Sequence, residues 1–80
     1  MVDDTKGLST AQMHGILKRA GAYRVSESAA KELARILEEL GVEIGEEALD
    51  ITMYAGRRTV RGKDVKMAAE KFIARLIEKR

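Results

Sequence analysis

The side chains with the most chemistry to offer sit together in AGRRTVRGKD (residues 55–64). Arg57, Arg58, Arg61 and Lys63 all precede the first acid, Asp64, and Thr59 stands among them. Three cations between Gly56 and Gly62, with Lys63 just beyond, would suit a polyanion, because each cation that meets a phosphate releases a condensed counterion. Taken alone, the run fits a wet turn equally well, since charge runs usually face solvent. The other reactive residue types point to no chemistry. His14 is the single histidine and cysteine is absent, so no metal or cofactor is expected. The acids lack calcium-loop spacing, and Met13, Met53 and Met67 read as apolar filler. With no glycine-rich phosphate loop and no nucleophile beside a base, the expectation is a protein that is not an enzyme.

Helices must position these residues. The chain has no proline and three aromatic residues, and it is rich in helix formers. Ser9-Thr10-Ala11-Gln12 matches a capping box that opens a helix of about ten residues, with Met13, Ile16, Leu17 and Ala20 on one face and Gly21 as its exit. Ser26 is the next cap, and nothing stops the second helix before Gly56. Along it Ala30, Leu33, Leu37, Leu40, Ile44, Ala48, Ile51 and Ala55 recur at helical spacing, widened by Ile36, Val42 and Leu49. At 1.5 Å per residue this predicts a rod of roughly 43 Å. A third helix starts near Gly62 and carries Val65, Ala68, Ala69, Phe72, Ile73, Leu76 and Ile77 on its apolar face.

Eighty residues make one small domain (1–80), with residues 1–8 expected to be loose. No disulfide is available, and short flanking segments cannot cover so long a helix. A second copy crossing near Gly41 and Gly45 covers it most economically, so a homodimer is expected. The net charge of +2 hides an uneven distribution: residues 26–55 carry −6, while residues 56–63 carry +4. No apolar run spans a membrane and the N-terminal stretch is no signal peptide, so an intracellular, soluble protein without a membrane role is expected.

The stretches AGAYRVSESA (20–29), LARILEELG (33–41), EEALDITMYAGRRTVRGKD (46–64) and VKMAAEKF (65–72) resemble archaeal histones. That resemblance covers roughly residues 13–72. It implies an all-α histone fold in which two chains clasp about their long helices in a handshake dimer. Paired loops and paired first helices then face duplex DNA. Arg24 takes the family's minor-groove position, Arg58 and Thr59 the second-loop DNA contacts, and Arg61 and Lys18 the places of family lysines near the backbone. Ser26 adds a helix N-terminus that favours phosphate. Arg57 and Asp64 match a structural pair that fixes the loop. Gly15 replaces a first-helix arginine.

For assembly, the resemblance places Ile51, Tyr54, Asp64 and Met67 where dimers stack on one another. Tyr54 stands in for the usual interface histidine. Ile73, Leu76 and Ile77 belong to an extension of the third helix (73–80) whose further apolar surface should be covered, either by the N-terminal segment or by a second bundle that joins two dimers into tetramers. The implied function is an architectural protein that coats, bends, wraps or bridges duplex DNA in the nucleoid, with itself as a second partner and no small-molecule substrate. The alternative is a histone-fold module that assembles a transcription or chromatin complex without binding DNA.

Overall fold

The computed structural model describes residues 8–78. Three helices follow one another, α1 (Thr10–Arg19), α2 (Glu27–Tyr54) and α3 (Gly62–Glu78), with no strand among the described residues. All but Leu8 of the segment expected to be loose, and the last two residues of the α3 extension, lie outside the described residues. Packing divides the chain after Glu39 into a unit holding α1 and the start of α2, and a unit holding the rest of α2 with α3.

In the first unit Ser9 caps α1. Its Oγ accepts from the backbone N–H of Ala11 (3.0 Å) and Gln12 (3.3 Å). Of the expected capping box, this is the serine half. The helix ends through Gly21 at φ 110°, a left-handed backbone that glycine adopts without Cβ strain. There Gly21 N–H donates to Lys18 C=O and Ala22 N–H to Leu17 C=O, both at 3.0 Å, which together form a Schellman motif. Met13 is buried, Ile16 and Leu17 are half-buried, and Ala20, now the C-cap, is exposed. Ala30 is buried at the start of α2, whose first turn is capped by Ser26 Oγ accepting from Ala29 N–H at 3.1 Å. His14 Nε2 lies 3.3 Å from Glu27 Oε1, joining α1 to that first turn.

In the second unit the end of α2 repeats the same exit. Gly56 has φ 79°, Gly56 N–H donates to Met53 C=O (2.9 Å), and Arg57 N–H donates to Thr52 C=O (3.0 Å). Ala48, Thr52, Asp64 and Ala68 are the buried residues. Glu47 on α2 holds α3 by ion pairs to Lys71 Nζ (2.8 Å) and Arg75 Nη1 (4.0 Å). The Lys71 ammonium draws the Glu47 carboxyl below its ordinary pKa.

The apolar stripes expected on α2 and α3 are present but incompletely covered. Leu33, Leu37, Leu40, Ile44 and Ile51 are half-buried, whereas Ile36, Val42, Leu49, Met53, Val65, Met67, Ile73, Leu76 and Ile77 are exposed. Stripes of that extent need a partner to cover them.

Candidate nucleic-acid interface

The second loop is built around one carboxylate. Asp64 is 2% exposed and stands in the first turn of α3. Its Oδ1 accepts from Arg57 Nη2 (2.9 Å), and its Oδ2 accepts from Arg57 Nη1 (2.9 Å), Thr52 Oγ1 (2.7 Å) and the backbone N–H of Arg61 (3.0 Å). A carboxylate has about four lone-pair sites, so this one is fully used. Thr52 Oγ1 also lies 2.9 Å from Ala48 C=O, but a hydroxyl has one proton and the charged oxygen is the stronger acceptor. The Arg57 guanidinium, followed by the Arg61 N–H and the Thr52 hydroxyl, outweighs burial and holds the Asp64 carboxyl well below the usual carboxylate range. The same bond raises the pKa of Arg57.

This arrangement fixes the loop at both ends and its middle. Arg57 also donates to Thr59 C=O at 3.3 Å, so one guanidinium spans the turn. By taking the Arg61 N–H, Asp64 supplies the acidic half of a capping box for α3, whose own cap residue has no side-chain oxygen to offer. Arg57 is half-buried and neutralised. Arg58, Thr59, Arg61 and Lys63 are exposed, and among the described residues no ion pair engages Arg58, Arg61 or Lys63.

In the first loop Arg24 is exposed and, among the described residues, forms no salt bridge. Lys18 Nζ reaches back to Tyr23 C=O at 3.5 Å, which ties the last turn of α1 to the loop. The Ser26 hydroxyl is engaged by Ala29 N–H and by Ser28 Oγ at 3.2 Å, so its first task is the helix cap. At Gly15 an added Cβ meets nothing within 4 Å.

Of the residues expected at a dimer–dimer contact, Ile51, Tyr54 and Met67 line one shallow groove with Glu47, Asp50 and Lys71. Tyr54 is 96% exposed there. Asp64 is not on that surface, being enclosed by its own donors. Ile73, Leu76 and Ile77 are exposed on the later turns of α3. Among the described residues no cluster of His, Cys, Asp or Glu is arranged to hold a metal, and no helix is long and apolar enough to cross a membrane.

Thr52 escaped the sequence reading. Its signal was its place one turn after Ala48 on the buried stripe, where a hydroxyl must find a partner. The Glu47 ion pairs and the His14–Glu27 contact were missed as well, since both join separate helices.

Comparison with known proteins shows the family. Residues 7–69 match the family described as histone-like transcription factor (CBF/NF-Y) and archaeal histone. A subunit of the archaeal histone HAN1 from Thermococcus zilligii is 44% identical over 63 residues, covering 79% of this chain and 94% of the relative. The probable archaeal histone 3 of Methanocaldococcus jannaschii is 51% identical over 53 residues, covering 66% and 79%. The family match ends at residue 69, whereas α3 continues to Glu78. With three helices of these lengths and a matching span that takes in both basic loops, the chain belongs to the family of histone-like transcription factors and archaeal histones.

Proposed function

We propose that the protein is an architectural DNA-binding histone that dimerises and coats, bends, wraps or bridges chromosomal duplex DNA with little sequence preference. The observation that carries this reading is the division of labour inside the second loop. Asp64 consumes Arg57 and fixes the backbone, while Arg58, Arg61 and Lys63 are exposed and outside any ion pair among the described residues. Such bracing stabilises the fold in any case, but it leaves unexplained why the remaining cations stay exposed and unpaired beside it. A phosphate-binding surface gains fixed cations, because phosphate contacts supply most of the affinity and carry no sequence information.

In this reading Arg58 and Thr59 meet phosphate, Arg61 and Lys18 add charge near the backbone, Arg24 enters the minor groove, and Ser26 presents the first N–H groups of α2. Homodimers form about α2 and join into tetramers through Ile51, Tyr54 and Met67. The extension residues Ile73, Leu76 and Ile77 lengthen that contact. Association with the chromosome follows from the binding itself.

A gel shift of random-sequence duplex across a salt series tests the reading. Tight binding at low salt that weakens steeply as salt rises is expected. No shift at micromolar dimer would instead favour a module that assembles proteins only. Solution mass on DNA should shift toward that of dimers when residues 73–80 are deleted, because the contact is shortened; an unchanged mass removes the extension from the assembly.

A further inference from the structure

We propose that Tyr23 is a DNA-contact residue whose phenolic hydroxyl donates to a phosphate oxygen beside Arg24. The proposal rests on the DNA-binding reading above and adds a residue to its first loop. The starting observation is exposure: Tyr23 is 90% accessible, although the chain has only three aromatic residues. The ring is nevertheless held by a fixed backbone. Gly21 and Ala22 close the Schellman turn just before it, Lys18 Nζ grips its carbonyl, and the Ser26 cap follows three residues later.

Its surroundings are basic. Lys18 and Arg24 flank it, and the first acid that follows them in the chain, Glu27, is engaged by His14 at 3.3 Å. Arg19 lies apart in a groove with Gly15, Ile16 and Leu37. Such a face disfavours a second identical face, because like charges would meet. It favours a polyanion. Duplex bases are stacked and closed, so a side chain at the backbone meets phosphate and sugar, and tyrosine is among the residues that donate to phosphate. The hydroxyl is neutral, which separates its contribution from that of its neighbours. A neutral donor releases no counterion, so it should strengthen binding equally at every salt concentration, unlike Arg24.

The experiment measures affinity for a short random-sequence duplex across salt for wild type, Tyr23→Phe, Tyr23→Ala, Arg24→Ala and Arg58→Ala. Tyr23→Phe should bind roughly tenfold more weakly, the fold-change of losing a hydrogen bond to a charged group, with the salt slope unchanged. Arg24→Ala should reduce that slope by about 0.9 for each phosphate it no longer neutralises. Melting curves should be unchanged in the Tyr23 variants, since the side chain is solvent-exposed. A Tyr23→Phe protein that binds like wild type overturns the proposal, including the case in which only Tyr23→Ala weakens, which would assign the effect to the ring. If Arg58→Ala also leaves binding intact, the DNA-contact reading itself fails.

Discussion

Arg57 and Arg58 are neighbours of the same type with opposite surroundings, and their substitutions should therefore read out differently. Arg57→Ala withdraws two of the four donors that satisfy a carboxylate with 2% exposure. The melting temperature should drop by more than about 5 °C, the response of a small domain to one moderate destabilisation. Arg58→Ala should leave melting unchanged and weaken binding to all duplex sequences alike, lowering the salt slope by about 0.9 per phosphate left without its cation. An Arg57→Ala protein that melts normally and loses only DNA would reverse the two roles. Asp64 also sets an acid limit. Its folded pKa lies below the unfolded value of about 3.9, so its stabilisation is complete above that pH and is lost as pH falls toward the folded value. Acid unfolding followed by circular dichroism should therefore be shallower in Asp64→Asn, whose starting stability is lower. Gly15→Arg, placed where an added Cβ meets nothing within 4 Å, should strengthen binding and steepen the salt dependence.

Both basic loops leave their helices through the same device, a glycine at positive φ followed by paired Schellman bonds. Gly56→Ala places a Cβ in the left-handed region and should destabilise by about 1 kcal/mol, measurable by denaturant unfolding, while leaving helix content intact. The helix ends were legible in the sequence because they are local: Ser9, Gly21, Ser26 and Gly56 each act within five residues of chain. The Asp64 cluster was not legible from periodicity, because Thr52 lies twelve residues away on a different helix. Its Arg57 member entered only through likeness to a family. The extent of coverage was hidden too. Leu49 and Leu33 look alike as stripe residues, yet one is exposed and the other half-buried.

For the whole molecule, a partner chain resolves what the single chain leaves open. Alanine at Gly41 or Gly45 meets nothing within 4 Å on one chain and gains about 1 kcal/mol of helix propensity each. If two α2 helices cross there, the added methyl groups instead overpack the crossing. The double variant Gly41→Ala, Gly45→Ala is therefore expected to dissociate at higher protein concentration than wild type in sedimentation experiments. A more stable variant would move the crossing elsewhere. The closed Asp64 cluster has a kinetic consequence as well. A loop already in its working shape has little conformational freedom to surrender when DNA arrives. Encounter should then be governed by long-range attraction, so that salt slows association, while residence time is set by how many loops must let go together.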